Sequence, residues 1–268
     1  MDLYAVVGNP IEHSKSPGIH TYFAQQTQQD LCYSTLLGDI EGFEEQVRCF
    51  FKDGGKGLNV TVPFKERAYA MCSVLSKRAK QAGAVNTLLM GKNGDLFGDN
   101  TDGVGMVRDI SQNYGQSLLN KRVLIIGAGG AVRGVLEPVL AEKPASVTVV
   151  NRTVSKAEVL AEHFGCLAAS FESLEGAFDI IINGSSASLS GRLPPLKDEL
   201  IGVNTWCYDM MYSKERTVFL DWAYARGADG ADGLGMLVGQ AAESFYLWRH
   251  TRPETGLLVA KMRQEMEA

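Results

Sequence analysis

Short apolar segments alternate with helix-length segments along most of this 268-residue chain. Each apolar segment is about as long as a β-strand, and the segment over Ile40–Lys52 spaces its apolar residues along one face of a helix. Strands that alternate with helices favour parallel sheets with helices on both faces. The pattern therefore predicts an α/β protein, and the chain length suits one large domain or two small ones.

The alternation falls into two series that meet near residue 101. In the first series, strands are predicted at Leu3–Val7, Leu31–Leu37 and Gly57–Val62, and a hairpin at Val85–Met90 and Asp95–Phe97. In the second series, strands are predicted at Arg122–Ile126, Val147–Val150, Asp179–Ile182 and Trp206–Met210. Helices are predicted at Ser16–Gln28, Ile40–Lys52, from about Pro63, Ser76–Gly83, Asp102–Tyr114, Val132–Ala141 with a kink at Pro138, Ser155–Phe164 and most of Met236–Glu267.

The charge and the cysteine pattern exclude several classes of protein. The chain has 26 basic and 31 acidic residues and a net charge of -5, which argues against general binding to nucleic acid or to anionic membranes. No apolar run approaches the ~18 residues of a membrane span, and the first residues lack the features of a secretory signal. The cysteines, 5 in number, are widely spaced and form no C-x-x-C pair, which is typical of reduced thiols. We therefore expect a cytoplasmic protein.

A glycine-rich loop lies between a predicted strand and a predicted helix. It reads Gly127-Ala128-Gly129-Gly130-Ala131. Gly127 permits a tight turn, and Gly129 lets backbone N–H groups at the helix N-terminus approach a diphosphate. Val132 stands at the third glycine position of G-x-G-x-x-G, so an ordinary glycine-rich turn is the alternative interpretation.

The end of the next predicted strand distinguishes the two nicotinamide cofactors. An NAD site places an acidic residue there to hold the ribose 2′-hydroxyl. This sequence has Asn151, Arg152 and Thr153 at that point, with Lys156 one turn further. Hydrogen-bonding and cationic side chains suit a 2′-phosphate, which an acidic residue would repel. The pattern predicts NADP, and a solvated helix start is the alternative explanation for the two cations.

Two further segments place a lysine and a carboxylate at candidate catalytic positions. Pro63 is expected at the first helical position, which puts Lys65 in the first turn. The partial positive charge of a helix start disfavours an ammonium group, so a lysine there exchanges a proton more readily. Asp102 lies at the junction of the two series, where small-ligand sites often form, and is a candidate general base. A surface lysine and an N-capping aspartate are the alternatives.

The loop after the first predicted strand contains two closely spaced hydroxyl groups. Ser14 and Ser16 can together hydrogen-bond a carboxylate or a polyol. Ser16 also precedes Pro17 and is a suitable helix N-cap, so capping is the alternative interpretation. The four histidines, His13, His20, His163 and His250, show no pattern that indicates a site.

These patterns occur together with several others in one order along the chain. The segments are Gly8–Ile11, Ser14–Pro17, Asn59–Lys65, Gly83–Thr87, Gly98–Gly103, Gly127–Ala131, Asn151–Thr153, Tyr208–Met210 with Tyr212, and Asp232–Gln240. With these segments the chain resembles the shikimate dehydrogenase family nearly from end to end. Any one segment can arise by chance, but their joint occurrence in this order is highly specific.

The resemblance implies an oxidoreductase that interconverts 3-dehydroshikimate and shikimate with NADPH and NADP+, a step in making aromatic amino acids. It implies two α/β domains. The first, 1–101 completed by 236–268, binds substrate, and the second, 102–235, is a Rossmann-type doubly wound parallel sheet that binds the cofactor. The C-terminal helices are expected to pack back on the first domain, and a monomer or a homodimer is expected.

The resemblance also assigns roles to individual residues of this chain. Lys65 and Asp102 are the expected catalytic residues at the reacting hydroxyl, and no metal is expected. The expected substrate-binding residues are Ser14, Ser16, Thr61, Asn86, Tyr212 and Gln240, with the two serines on the carboxylate. The expected cofactor-binding residues are Gly127, Ala128, Gly129, Gly130, Ala131, Asn151, Arg152, Thr153, Lys156, Met210 and Gly233, the last two near the nicotinamide.

The sequence departs from the family pattern at Glu12, at Lys77 and over residues 183–186. Three other functions compete with the one that the resemblance implies. A quinate/shikimate dehydrogenase with broader cofactor use is disfavoured by Arg152, because NAD preference calls for an acidic residue near that position. A non-catalytic cofactor-binding regulator is disfavoured by the intact Lys65 and Asp102. A methylene-tetrahydrofolate dehydrogenase shares a related plan, but the loop with Ser14 and Ser16 suits shikimate better.

Overall fold

The computed structural model describes residues 1–91 and 93–268 and divides into two compact units. Unit 1 comprises Met1–Gly105 and Val238–Leu258, and unit 2 comprises Met106–Leu237 and Val259–Ala268. Residues 259–268, which we expected in the first domain, group with unit 2. Within unit 2, Arg263 pairs with the carboxylate of Asp232 and donates to the Ser213 carbonyl at 3.0 Å, which ties this last segment to that unit.

Unit 1 contains a six-stranded mixed sheet. Its strands are β1 (Asp2–Gly8), β2 (Leu31–Leu37), β3 (Gly55–Val60), β4 (Val74–Leu75), β5 (Thr87–Met90) and β6 (Leu96–Asp99), in the order β2-β1-β3-β5-β6-β4. The predicted hairpin forms between β5 and β6, with Lys92 of its loop outside the described residues. The alternation of strands and helices favours a parallel sheet, but β5 also runs antiparallel to β3, so this sheet is mixed.

The helices that belong to unit 1 lie between these strands and near the C-terminus. They are α1 (Ser16–Gln26), α2 (Phe43–Lys52), α3 (Lys65–Met71), α4 (Lys77–Ala82) and most of α9 (Leu234–Arg249). The prediction of Pro63 at the first helical position is wrong. Phe64 N–H donates to the Thr61 carbonyl at 3.0 Å, so a turn occupies this segment and the helix begins at Lys65. Ser16 opens α1 and does not cap it with its side chain.

Unit 2 contains a six-stranded sheet in which every strand pair is parallel. Its strands are β7 (Arg122–Ile126), β8 (Ser146–Val150), β9 (Leu167–Ala169), β10 (Phe178–Asn183), β11 (Ile201–Asp209) and β12 (Asp229–Asp232), in the order β12-β11-β10-β7-β8-β9. The order reverses between β7 and β10, which is the doubly wound pattern with its ligand-binding switch point. The predicted α/β class with a Rossmann-type second sheet is confirmed.

Of the helices of unit 2, all but the one over Val218–Tyr224 were predicted from the sequence. The helices are α5 (Asp102–Arg108), which begins in unit 1, α6 (Gly130–Ala141), α7 (Val154–Phe164), α8 (Val218–Tyr224) and α10 (Gly256–Glu267), which ends in unit 2. After α5 the chain continues in a π-helical turn over Asp109–Asn113 rather than as one α-helix to Tyr114. The helix α6 is a single element that includes Pro138.

Strand β7 shows how the core of unit 2 is built. Val123 and Ile125 pack into one hydrophobic cluster, and Leu124 and Ile126 pack into a second cluster on the other face. All four side chains are almost fully buried, as expected for a parallel strand covered on both sides. Because β7 is packed on both faces, the position of its C-terminal end, where the glycine-rich loop begins, is well defined. Within the described residues, no helix has the length and apolar character needed to cross a membrane.

Candidate functional site

Lys65 and Asp102 form an ion pair in unit 1. The Lys65 Nζ lies 2.6 Å from Asp102 Oδ2, and the side chains are 29% and 17% exposed. Lys65 is the first residue of α3 and Asp102 is the first residue of α5, so the start of a helix positions each side chain. The pair is therefore partly shielded from water yet open to a small molecule.

A buried amide holds the carboxylate of this pair. Asn86 Nδ2 donates to Asp102 Oδ1 at 2.8 Å and to Thr101 Oγ1 at 3.0 Å, and Asn86 Oδ1 accepts from the Thr101 N–H at 2.9 Å. Asn86 is 3% exposed. Because one oxygen of Asp102 is held by Asn86 and the other by Lys65, the carboxylate has a fixed orientation. The lysine ammonium keeps two N–H groups for a ligand.

A second layer of polar side chains supports Asn86 from inside unit 1. Asn59 Nδ2 donates to the Asn86 carbonyl at 3.1 Å and to Ser244 Oγ at 3.0 Å. The Tyr33 hydroxyl donates to Asn59 Oδ1 at 2.7 Å, and burial raises the pKa of Tyr33 well above its usual value, so it stays a donor. The sequence prediction did not assign Tyr33, Asn59 or Ser244. The one available signal was the asparagine placed between Leu58 and Val60 in an apolar strand.

The remaining predicted substrate residues lie at the edges of this network or outside it. Ser14 and Ser16 are half-buried, Ser14 Oγ accepts from the Ser16 N–H at 3.3 Å, and the Ser16 side chain interacts with the Tyr33 hydroxyl. Gln240 is half-buried on α9, and its carbonyl accepts from Ser244 Oγ at 3.1 Å. Thr61 follows β3, and its methyl group packs against Gly8. A Cβ added to Gly8 would lie 2.4 Å from that methyl group. Glu12, a departure from the family pattern, is exposed.

His20 is fully buried against the same network and makes stability depend on pH. Its ring stacks on Tyr33 with centroids 4.1 Å apart, and among the described residues no group meets either ring nitrogen at hydrogen-bond geometry. Burial lowers the pKa of His20 to about 3. Below the ordinary histidine pKa of ~6.5, the unfolded chain binds a proton that the folded chain does not. The free energy of unfolding therefore decreases as the pH is lowered. The loss from this one group is about 2 kcal/mol by pH 5.

Replacing His20 with phenylalanine should therefore flatten the pH dependence of stability. We expect the free energy of unfolding of His20→Phe to fall by about 2 kcal/mol less than that of the unsubstituted protein between pH 7.5 and pH 5. Urea unfolding at the two pH values measures it. His163→Gln, which removes an exposed histidine in unit 2, is the control and should leave the dependence unchanged. Equal losses in the His20 variant and the unsubstituted protein would contradict this account.

Nine of the eleven predicted cofactor residues line one cavity of about 670 Å³ in unit 2. Gly127, Ala128, Gly129, Gly130, Ala131, Asn151, Arg152, Thr153 and Lys156 all belong to its wall. The cavity lies at the carboxyl ends of β7, β8 and β10, since Ile126, Asn151 and Gly184 at or just after those ends also line it. This is the switch point of the sheet, where α/β proteins of this kind bind their ligands.

The glycine-rich loop leaves room for a ligand at the start of α6. Gly127 adopts a φ of +112°, which a residue with a side chain would not readily adopt. A Cβ on Gly129 or Gly130 would meet no atom within 4 Å, so open space lies beside the first N–H groups of the helix. Val132 replaces the third glycine of the motif without a clash because Gly184 faces it, where a Cβ would lie 2.4 Å from Val132 Cγ2. The loop therefore fits a diphosphate.

The charge of the cavity fits a phosphorylated ligand. Arg152 and Lys156 are exposed at its wall and, within the described chain, neither forms an ion pair with a carboxylate. Asn151 Nδ2 donates to the Thr153 carbonyl at 2.9 Å, which shapes the turn that presents both cations. No acidic residue lines this cavity in the described part of the chain. The residues present therefore suit a ligand with a 2′-phosphate.

Three predicted residues lie apart from these two groups. Met210 and Gly233 lie against each other, because a Cβ on Gly233 would be 2.3 Å from the Met210 carbonyl oxygen. Neither lines the cavity, to which the neighbouring Met211 contributes. Tyr212 is half-buried in unit 2, whereas the other predicted substrate residues belong to unit 1, and burial raises its pKa above the usual tyrosine value.

Models of known families match three parts of the chain. Residues 6–88 match the shikimate dehydrogenase substrate binding domain, residues 109–190 the shikimate / quinate 5-dehydrogenase family, and residues 233–267 the shikimate 5′-dehydrogenase C-terminal domain. A shikimate dehydrogenase (NADP+) from Hahella chejuensis is 59% identical over 98% of this chain and 99% of its own length. The chain belongs to the shikimate dehydrogenase family.

Other proteins that are similar to this chain agree with this placement. The NADP+ enzyme from Alkalilimnicola ehrlichii is 56% identical over 98% of this chain and 99% of its own. A crystal structure of an Ael1 enzyme from Pseudomonas putida superposes with a TM-score of 0.94, at 43% identity over 97% of this chain and 98% of its own. Shikimate 5-dehydrogenase from Thermus thermophilus, solved with NADP(H) and shikimate, gives a TM-score of 0.88 at 31% identity over 98% and 99%.

Proposed function

We propose that this chain is an NADP-dependent shikimate dehydrogenase, which reversibly reduces 3-dehydroshikimate to shikimate in the biosynthesis of aromatic amino acids. The observation that best supports this function is the Lys65–Asp102 ion pair, whose carboxylate accepts a hydrogen bond from the buried amide of Asn86. The cavity of unit 2, which suits a phosphorylated ligand, supports it as well. An ammonium–carboxylate pair open to a ligand can move a proton to or from a hydroxyl group. Reduction of a ketone requires that proton.

In the proposed reaction, Lys65 is the proton donor. NADPH, when bound, supplies a hydride to the ketone carbon of the substrate. Lys65 then stabilises the negative charge that develops on the oxygen and gives it a proton, and it regains the proton from solvent. Asp102 holds the ammonium group in place through Oδ2 and accepts a hydrogen bond from the substrate hydroxyl. Asn86 keeps the carboxylate from rotating away, because it occupies Oδ1.

The substrate carboxylate is proposed to bind at Ser14 and Ser16, where two hydroxyls and the start of α1 provide donors. The ring hydroxyls are proposed to bind Thr61, Asn86, Gln240 and Tyr212. Tyr33, Asn59 and Ser244 are not proposed to take part directly in the reaction. They position Asn86, and through Asn86 the carboxylate of the catalytic pair.

The cofactor is proposed to lie in the cavity of unit 2. The N–H groups of Gly129, Gly130 and Ala131 at the start of α6 hold the diphosphate, and Asn151, Arg152, Thr153 and Lys156 hold the 2′-phosphate. Met210 and Gly233 are proposed to lie near the nicotinamide. We also propose a cytoplasmic location and a monomer or homodimer, as expected from the sequence.

The deciding measurement is the initial rate of shikimate oxidation, followed by the absorbance of the reduced cofactor. NADP+ and NAD+ are compared in parallel, and quinate is the second substrate. Fast turnover with shikimate and NADP+ alone would support the proposal. Comparable rates with quinate or NAD+ would favour the broader quinate/shikimate dehydrogenase. No turnover from a folded sample that still binds NADP+ would favour a non-catalytic cofactor-binding protein.

Replacing Arg152 with glutamine should weaken the use of NADP+ far more than the use of NAD+. The side chain is exposed, so one charge-assisted contact to the 2′-phosphate predicts a rise of about 10-fold in the KM for NADP+ and less than about twofold for NAD+. Steady-state kinetics with both cofactors measure this. The control is Lys121→Gln, which removes a cation from unit 2 just before β7, at the end of that strand away from the cavity. Equal changes for both cofactors would contradict the assignment.

A further inference from the structure

A third cation lines the cofactor cavity together with Arg152 and Lys156. It is Arg192, which follows a short helical turn over Ser188–Ser190 in the segment after β10. Neither the glycine-rich loop nor the basic segment after β8 includes it, so no sequence motif indicated a role. Its presence in the same cavity, 36 positions beyond Lys156, results from the fold alone.

Local hydrogen bonds hold the backbone and the Nε atom of Arg192 in place. Gly191 adopts a left-handed φ of +65°, which reverses the chain, and the Arg192 N–H donates to the Ala187 carbonyl at 3.0 Å. Arg192 Nε donates to Ser190 Oγ at 3.0 Å, and that hydroxyl donates to the Ala187 carbonyl at 2.9 Å. Within the described residues, the two terminal Nη groups of Arg192 have no protein partner. They are the pair of donors that binds phosphate in a bidentate way.

The turn that bears Arg192 is fastened to the core of unit 2. Ser188 Oγ donates to Asp209 Oδ2 at 2.7 Å and accepts from Asn183 Nδ2 at 3.0 Å. Asn183 and Asp209 face each other at the ends of β10 and β11, and both are fully buried. Thr217 Oγ1 also donates to Asp209 Oδ2, at 2.7 Å. The end of the sheet therefore sets where this turn lies, so Arg192 does not depend on a free loop for its position.

The charge balance of the cavity favours a phosphomonoester as the partner of Arg192. Arg152, Lys156 and Arg192 line it, and no acidic residue lines it in the described chain, so every charged side chain on its wall is cationic. A wall whose charged side chains are all cationic favours an anionic ligand. A phosphomonoester carries a charge of about -1.5 to -2 at neutral pH and offers three acceptor oxygens. The diphosphate already has the helix start of α6 for its donors, whereas the 2′-phosphate has only side chains.

We propose that Arg192 is a third cation of the 2′-phosphate site and that it contributes to the choice of NADP over NAD. This inference rests on the proposed placement of NADP in the cavity of unit 2. Arg192 binds the phosphate through its Nη groups, together with Arg152 and Lys156. Asn183, Ser188 and Asp209 are positioning residues for it, since they fix the turn from which Arg192 extends.

The test measures equilibrium binding to the full chain by isothermal titration calorimetry. The ligands are NADP+, NAD+, 2′,5′-ADP and 5′-AMP, and the variants are Arg192→Gln and Arg192→Lys, with Lys121→Gln as the matched control. We expect Arg192→Gln to weaken NADP+ and 2′,5′-ADP by about 5- to 20-fold and NAD+ and 5′-AMP by less than about twofold. Arg192→Lys keeps the charge and should recover part of the loss. Lys121→Gln should change none of the affinities.

Two other outcomes would overturn the inference in distinguishable ways. Equal weakening of NADP+ and NAD+ would assign Arg192 to the adenine or the diphosphate, and no weakening would leave it without a role in binding. In both results the unsubstituted protein still prefers NADP+ and loses that preference in Arg152→Gln, so the proposed cofactor site stands. If the unsubstituted protein itself shows no preference for NADP+, the proposed cofactor site fails, and the role of Arg192 fails with it.

Discussion

Replacing Lys65 with methionine is expected to lower kcat for shikimate oxidation by about 10³-fold. Proton transfer and charge stabilisation by one positioned group typically contribute about 10²- to 10⁴-fold, and methionine supplies neither. The side chain is 29% exposed and methionine has nearly its length, so the helix start and the packing of unit 1 should survive. The KM for shikimate should change by less than about fivefold, because the serines, not Lys65, are proposed to bind the carboxylate.

Initial rates over a range of shikimate concentrations measure this prediction, and circular dichroism checks that the variant is folded. Lys80→Met is the matched control, because it removes an exposed lysine from α4 of the same unit and should leave kcat unchanged. NADP+ affinity, measured separately, should be the same in both variants. A Lys65→Met enzyme with kcat within tenfold of the unsubstituted enzyme would show that another group supplies the proton.

The residues that the sequence could identify lie at positions where the local backbone structure determines which way they face. Lys65 and Asp102 each open a helix, and the glycine-rich loop joins a strand to a helix. In these places a few consecutive residues determine which groups face a ligand. The basic segment after β8 is of the same kind, since the end of a parallel strand and the following turn place Arg152 at the ligand edge.

The residues that the sequence could not identify meet only through tertiary structure. Asn59 bonds to Ser244, 185 positions away, and this contact depends on how α9 packs on the sheet of unit 1. Asn59 faces Thr87 only because β3 and β5 pair antiparallel in one register. Arg192 enters the cavity for a similar reason, because a buried carboxylate at the end of a neighbouring strand holds its turn. No spacing within one segment contains this information.

Short edge strands were missed for a different reason. Strand β12 reads Asp229-Gly230-Ala231-Asp232 and β9 covers only Leu167–Ala169, so neither has the apolar run that identifies a strand. Each exists because a longer neighbour offers free backbone groups, β11 for β12 and β8 for β9. The full six-stranded order of unit 2 could therefore not be obtained from periodicity, although its four central strands could.

Replacing Asp102 with asparagine is expected to lower kcat by about 10²- to 10³-fold with little change in fold. The amide keeps the shape, and its oxygen can still accept from Asn86, but its nitrogen then faces the Lys65 ammonium, donor against donor. The lysine loses the carboxylate that holds it 2.6 Å away, and the substrate hydroxyl loses an anionic acceptor. Asp53→Asn, an exposed change beyond the end of α2, is the matched control and should retain full activity.

The double variant Lys65→Met with Asp102→Asn separates a catalytic pair from two independent contributors. If Asp102 acts through Lys65, its carboxylate has little left to contribute once the ammonium is gone, so kcat should fall about 10³-fold, as in Lys65→Met alone. Two independent residues would instead multiply their losses to about 10⁵- to 10⁶-fold. Single-turnover rates at saturating shikimate and NADP+ measure the chemical step directly. A multiplicative loss would mean that Asp102 contributes mainly through its own hydrogen bond to the substrate hydroxyl, and the account in which Asp102 acts by holding Lys65 in place would have to be replaced.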